Sequence, residues 1–345
     1  MSEIPADLPQ VWQKPAFAEL LDALKSLRVE PPVWNMKVSQ DDIQRERDST
    51  AQHRREVARY LSSIIKSNLP WIKDEEQREE LWTEASRRLA ERCGRAAMGE
   101  LTRRWPFESD AFPWFELTVK EPALTGDSLG LKTWGSSYVL AQMLPKFSRE
   151  SLSHLFPSPR HAPSPVLELG SGTGLLGLAA AAMWKTRVVL SDLPVIMPNL
   201  KFNLEKNRPV VESLGGSVDA GALTWGGEGK EEVDPKLFGE KHQFKIILIA
   251  DPMYDDVHPR LLASAVDDHL AMDTDARAVI MVPLRDMATL KLLNAFRDEL
   301  LSKDTQITCL DFTIEDCTDD WDKEDSVYHF DCWLGVWARQ KVMSS

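Results

Sequence analysis

The sequence predicts an α/β fold: a largely parallel sheet with helices on both faces, preceded by a helical N-terminal region. Three observations predict it. From Leu117 onward, short apolar runs of strand length alternate with helical stretches; a glycine-rich turn joins the first clear run to a helix; and the last two strand-like runs have no helix between them. Strand–helix alternation produces βαβ units, which place strands parallel and helices on both faces with right-handed crossovers. Two strands without an intervening helix can pair as an antiparallel hairpin, so the sheet is expected to finish in one.

The elements follow in chain order. Residues 41–67 carry Ile43, Val57, Tyr60, Leu61 and Ile64 among charges, a pattern that predicts an amphipathic helix closing near Asn68 and Pro70. Residues 75–105 predict a second, with Leu81, Trp82, Leu89 and Met98 apolar and arginines at 78, 87, 88, 92, 95, 103 and 104. That arginine row is expected to be a solvated face or, less simply, an interaction surface. Strands are expected at Val166–Leu169, Arg187–Ser191, Phe244–Ala250 and Ala278–Val282, with helices over 173–184, 194–207, 258–270 and 286–302. A short strand near Val218 and an insertion are expected between Pro209 and Gln243. The closing hairpin is expected from Thr305–Ile314 and Val327–Trp337. The domain division is therefore 1–115, helical, and 116–345, α/β.

Composition narrows the function. A length of 345 residues suits one large α/β domain with an appendage, and 43% hydrophobic with 28% charged residues is ordinary for a globular chain. The first ten residues lack a basic stretch followed by an apolar one, and the longest apolar run, Gly174 to Trp184, is too short to span a bilayer. Cys93, Cys309, Cys317 and Cys332 have no paired spacing, so a reduced protein with no metal site is expected, cytoplasmic and monomeric. A net charge of −13 disfavours direct contact with nucleic acid and suits a basic protein surface as partner.

Val166-Leu-Glu-Leu169 runs into Gly170-Ser-Gly-Thr-Gly174 and then into a helix. Glycines allow positive φ and close backbone approach, and a helix start presents free N–H groups. Gly172-Thr-Gly174-Leu-Leu-Gly177 matches the dinucleotide fingerprint. Against that reading, Glu168 sits in the strand end, where it repels a pyrophosphate and welcomes a sulfonium or amino group. Asp192 ends the next strand, twenty residues past Gly172; a carboxylate there can accept both ribose hydroxyls of an adenosine, or cap a helix with Pro194 in its first turn. After the strand ending at Ala250 comes Asp251-Pro-Met-Tyr254. Ligands of open α/β sheets lie beyond the carboxyl ends of strands, so Asp251 can hold an incoming ammonium and help shed its proton, with Tyr254 walling the amine. Trp134 and Trp225, both beside glycines, can pack on an adenine or close over the rest of a cofactor.

Together these motifs resemble methyltransferase family 16, the seven-β-strand protein-lysine methyltransferases, over roughly residues 115–340. The stretch Lys120 to Ser137 is similar to the fungal branch that methylates translation elongation factors 2 and 3. The resemblance implies a seven-stranded, Rossmann-like class I methyltransferase sheet using S-adenosyl-L-methionine. It places cofactor contacts on Trp134, Gly170, Ser171, Gly172, Asp192, Trp225 and Ala250, besides Glu168 from the turn, and the catalytic Asp-x-x-Tyr on Asp251 and Tyr254. The implied partner is a protein substrate, a translation elongation factor. Pro252 also makes the motif similar to that of enzymes methylating planar amides or adenine amines. A glutamine- or base-directed enzyme and a non-catalytic adenosyl-binding module therefore stay open as alternatives. The last hairpin turn, with Glu315, Asp316, Asp319, Asp320, Asp322, Glu324 and Asp325 against Lys323, is expected to border the pocket and steer a basic surface toward it.

Overall fold

The computed structural model describes residues 8–28, 55–92, 99–123, 129–156, 164–226, 232–302, 307–319 and 328–340. The chain divides into two compact units, one formed chiefly by residues 1–101 and the other by 102–122, 127–318 and 329–345.

The first unit packs α1 (Phe17–Ser26), α2 (55–66) and α3 (Glu75–Ala90). Leu20, Leu24, Leu61, Ile64, Leu81 and Ala85 recur at helical spacing and bury together. Asp74 caps α3 by accepting the Glu76 and Gln77 N–H groups. The expected helix over 41–67 is described only from residue 55.

The helix expected over 75–105 is shorter than the sequence suggests. It ends at Ala90, and Leu101–Ser109 form β1, paired with β2 (Phe112–Glu121). The reason is a change of period: Arg103, Trp105 and Phe107 are buried on one face while their neighbours are exposed, a two-residue alternation that no helix can satisfy. Pro106 also lacks the N–H that a helix interior needs. The arginine row dissolves accordingly. Arg88 is buried against Glu84 and Glu91, and Arg103 pairs with Glu121 inside the other unit. The hairpin spanning the expected 115/116 boundary belongs to the second unit.

The second unit carries a seven-stranded sheet in the order β5-β4-β3-β6-β7-β9-β8. Its strands are β3 (Val166–Leu169), β4 (Arg187–Asp192), β5 (Ser217–Ala222), β6 (Ile246–Ala250), β7 (Arg277–Pro283), β8 (Ile307–Asp319) and β9 (Tyr328–Arg339). The five strands from β5 to β7 are parallel, and β9 runs antiparallel to β7. After β5 the chain returns across β3 to form β6, which leaves a switch point between β3 and β6. Helices follow as α4 (Gly135–Arg149), α5 (Leu175–Trp184), α6 (Met197–Ser213), α7 (Pro235–Phe238), α8 (His258–His269) and α9 (Met287–Ser302). On one sheet face Leu167, Leu169, Ile247, Ile249, Ile280 and Val282 pack against Leu262, Val266, Leu293 and Phe296 of α8 and α9. No helix among the described residues is long and apolar enough to cross a membrane.

The hairpin docks through an asparagine comb. Asn203 and Asn207, four apart on α6, accept the N–H groups of Lys120 and Thr118 at 2.8 Å and donate back to the same residues' carbonyls. Asn203 also donates to the Thr173 carbonyl in the glycine turn, at 3.0 Å. We expect Asn203→Ala to lower unfolding free energy by about 2–4 kcal/mol, taking roughly 1–3 for each buried group left unpaired. Denaturant titration checks this, and a loss below about 0.5 kcal/mol would show that the comb is ornamental.

Candidate active site

Five segments of the pocket leave the carboxyl ends of sheet strands. Gly170 and Gly172 follow β3, Asp192 ends β4, Thr224 and Trp225 follow β5, Asp251 follows β6 and Arg285 follows β7. These residues, with Trp134, Ala250, Pro252, Tyr254 and His258, line one cavity of about 220 Å³ beside the switch point.

The turn is built by conformation. Gly170, Gly172 and Gly174 have φ of 68°, 55° and 88°, a region that side chains resist. A Cβ on Gly172 would come within 3.1 Å of the Gly130 carbonyl, and one on Gly170 within 3.3 Å of the Trp225 ring. The turn is therefore roofed by the 130–134 segment and Trp225, and a buried hydroxyl pair, Thr133 with Thr173 at 2.8 Å, ties the roof down. Gly177, the last glycine of the fingerprint, serves packing: a Cβ there would lie 2.0 Å from Leu190.

Asp192 faces this cradle from β4. One carboxylate oxygen accepts the Gly172 N–H at 2.7 Å and the other the Leu193 N–H at 2.7 Å. Each oxygen keeps a further lone pair. Burial pushes the carboxyl up to about 6, against those two hydrogen bonds.

Glu168 and Ser171 lie beneath the turn and are not among the cavity's lining residues. Glu168 is 2% exposed and accepts the Gly177 N–H at 3.1 Å. Ser171 accepts the Ser191 N–H through its hydroxyl at 3.0 Å. Burial pushes Glu168 up to about 8, against hydrogen bonds from Ser171 and Gly177. Burial thus works against the charge that the sequence expects Glu168 to offer a cation. A folded value near 8 against an ordinary 4.5 makes the folded state hold its proton longer, so stability falls as pH rises from 4.5 through 8. Glu168→Gln keeps an acceptor for Gly177, and its urea midpoint should fall less steeply than the parent's between pH 6 and 8.5. Parallel slopes would disprove the assignment.

Asp251 adopts φ of 53°, unusual for a residue with a side chain, and its N–H is held by the Met281 carbonyl at 3.0 Å. Arg285 grips its carboxylate with two hydrogen bonds, 3.1 and 2.6 Å. The same guanidinium stands 4.9 Å from the ring centroids of Trp134 and of Phe330, while Lys132 lies 4.3 Å from the Trp134 ring. Tyr254 stands at the rim, 59% exposed, with its ring edge-on to His258 at 4.2 Å. Its N–H donates to His258 Nδ1 at 3.2 Å, and burial pushes that imidazole below its ordinary 6.5, so the ring is neutral with its proton on Nε2.

Eight of the ten predicted site residues thus meet at one cavity. Sequence reasoning missed Arg285, His258, Thr224, Leu193 and Gly130. Arg285 was within reach: it stands two residues past β7, at the same kind of strand end that drew attention to Asp251. The expected acidic turn falls mostly on residues for which no placement is described. Residues 320–327 lie outside the described residues, and Glu315, Asp316 and Asp319 belong to strand β8 rather than to a turn.

A seven-stranded sheet with this order, a glycine cradle after its first strand and a carboxylate after its second defines a class I methyltransferase. The cradle fits S-adenosylmethionine: backbone can approach closely at two positive-φ glycines, and Asp192 offers open lone pairs beside an aromatic roof. The chain belongs to the lysine methyltransferase family, whose model matches residues 114–297, just over half of it. It is 28% identical over 280 residues to the protein-lysine N-methyltransferase rrg1 of Schizosaccharomyces pombe, covering 81% of this chain and 82% of that one. It is 31% identical over 272 residues to the protein-lysine N-methyltransferase EFM2 of Saccharomyces cerevisiae, covering 76% of this chain and 61% of that one. To the mouse EEF1A lysine methyltransferase 3 it is 33% identical over 100 residues, 29% of this chain and 38% of that one. The protein is a protein-lysine methyltransferase using S-adenosylmethionine. The glutamine, base and non-catalytic alternatives give way to that result.

Proposed function

We propose that this protein methylates a lysine of a translation elongation factor, with Asp192 holding the cofactor's ribose and Asp251 and Tyr254 bordering the acceptor amine. The observation that carries the site is the convergence of Asp192, Asp251, Tyr254 and Trp134 on one cavity at the sheet's switch point. The acceptor class is supported by the mouse relative, whose name gives EEF1A, and by the chain's net charge of −13, which suits a basic partner surface.

Held by Gly170, Gly172 and Asp192, S-adenosylmethionine would supply an electrophilic methyl for a lysine Nε. The chain's own residues bind and orient. Gly170 and Gly172 let the cofactor approach the backbone, Asp192 accepts ribose hydroxyls, and Trp134 and Trp225 exclude water from either side. Glu168 and Ser171 act from below by fixing the shape of the turn. Ala250, Asp251, Pro252 and Tyr254 form the wall beyond β6 where the lysine enters. Partial burial, with the Asp192 and Asp255 charges, pushes the Tyr254 phenol up, so it remains a hydrogen-bond donor across the neutral range.

Transfer of labelled methyl to purified elongation factors and to whole lysate, followed by mass spectrometry, tests the proposal. Methyl-lysine on an elongation factor is the expected product. Methyl-lysine only on other proteins would overturn the acceptor and leave the enzyme class intact.

A further inference from the structure

The Asp251–Arg285 pair is more than a buried tether, because of where it stands. Both oxygens of Asp251 are turned to the guanidinium, and the Asp251 side chain is 8% exposed, so bulk water does little to soften the pairing. Arg285 lines the same cavity as Asp251 and Tyr254, and its guanidinium lies against Trp134 and Phe330. An acidic group flanked by aromatic faces is the arrangement that holds a cation. In this protein that arrangement already holds one, supplied by the chain itself.

The charges matter because of what methyl transfer requires. A free lysine is an ammonium with a pKa near 10.4, and its nitrogen has no lone pair to give. A lone carboxylate at the pocket wall would stabilise that ammonium and hold it in the unreactive form; a neighbouring cation favours the free base.

We propose that Arg285 is a positioning residue that discharges Asp251, so that the acceptor lysine enters this pocket as the free amine, its proton having gone to solvent. This rests on the reading of the cavity as the methyl-transfer site. Asp251 then acts through geometry, orienting the amine, and not as the base that removes its proton. Other titratable groups face the pair. Lys132 lies on Trp134, Asp192, Tyr254 and His258 share the wall, and Cys332 stands behind it on β9. Burial keeps the Cys332 thiol protonated, burial likewise keeps His258 neutral, and Tyr254 is held as the phenol. Asp192, pushed up only to about 6, keeps its charge at pH 7.

The test needs no acceptor protein. Sinefungin carries an amine where S-adenosylmethionine carries its sulfonium methyl, whereas S-adenosylhomocysteine has only a neutral sulfur there. Calorimetry of both at pH 7, in two buffers of different ionisation enthalpy, gives the affinity ratio and the protons released. Parent protein should bind sinefungin with release of close to one proton and should favour S-adenosylhomocysteine. Arg285→Gln should leave the S-adenosylhomocysteine affinity unchanged, tighten sinefungin about tenfold and abolish the proton release. Arg285→Lys should behave as the parent.

An unchanged ratio and unchanged proton release in Arg285→Gln would overturn the proposal. Should that variant fail to bind S-adenosylhomocysteine, Asp251→Asn decides instead. With Arg285 left uncompensated, sinefungin should weaken at least tenfold relative to S-adenosylhomocysteine, and an unchanged ratio refutes the idea. Parent protein that binds neither nucleoside would defeat the cofactor site itself, a failure distinct from that of Arg285.

Discussion

Replacing Asp251 with alanine is expected to lower kcat/KM for methyl transfer about 100-fold or more, roughly 2.7 kcal/mol of transition-state stabilisation. Two losses combine. The amine loses the carboxylate that orients it, and Arg285 is left without its bidentate partner on the wall that the acceptor must pass. A guanidinium so placed repels any lysine that arrives charged, so KM should rise as kcat falls. The fold carries part of the cost, because breaking a largely buried pair destabilises; with Arg285 a quarter exposed, about 1–3 kcal/mol is a fair discount from the fully buried figure. Binding of S-adenosylhomocysteine separates these effects: it should stay within about threefold of the parent's, the variation expected of a site that keeps its contacts. A variant that retains full turnover would remove Asp251 from the reaction.

Asp192→Ala should act on the other ligand. Losing hydrogen bonds from ribose hydroxyls to a carboxylate costs about 1–3 kcal/mol, a weakening of S-adenosylhomocysteine binding of roughly 5- to 150-fold. The parent's own pH dependence gives the same information without mutation. Because burial raises Asp192 to about 6, the carboxylate is intact at pH 7.5 and lost as pH falls through 6. Cofactor binding should therefore weaken below pH 6, and the weakening should vanish in the alanine variant. Calorimetry between pH 5 and 8 is the check. Flat affinity across that range in the parent would remove the ribose role.

Much of the fold is legible in the sequence. The parallel core could be read because βαβ units announce themselves through strand-length apolar runs separated by amphipathic helices. β3, β4, β6 and β7 fall within two residues of where the sequence places them, whereas α6 runs past its expected end at 207 to Ser213. The antiparallel end was legible for the opposite reason, the absence of a helix. The β1–β2 hairpin was not. Its first strand is preceded by arginines and alanines that continue a helical rhythm, and its buried Arg103 disguises the apolar side of the alternation.

At the site, the glycines, Asp192, Asp251 and Tyr254 were legible because each combines a strand end with a residue type of unmistakable chemistry. Burial and ion pairing were not. Nothing in Leu167-Glu-Leu169 says that Glu168 is sealed under the turn, where burial pushes its carboxyl up. Nothing in Leu284-Arg-Asp286 says that Arg285 reaches Asp251, thirty-four residues away. Pairings of that separation are products of the sheet order, which puts β7 beside β6.

The asparagines on α6 form a vernier. Four helical residues advance about 6 Å, while two strand residues advance about 6.6 Å, so teeth at 207 and 203 can mesh with a strand running the other way before the scales drift apart. The next notch, at 122, is a proline with no N–H to offer. There the engagement is single: Asn199 donates to the Lys120 carbonyl at 3.1 Å, and its own Oδ1 has no hydrogen-bond partner. Such a gauge is short by construction and intolerant of slippage. One residue inserted within α6 would swing the teeth beyond it about 100° out of mesh with those before it.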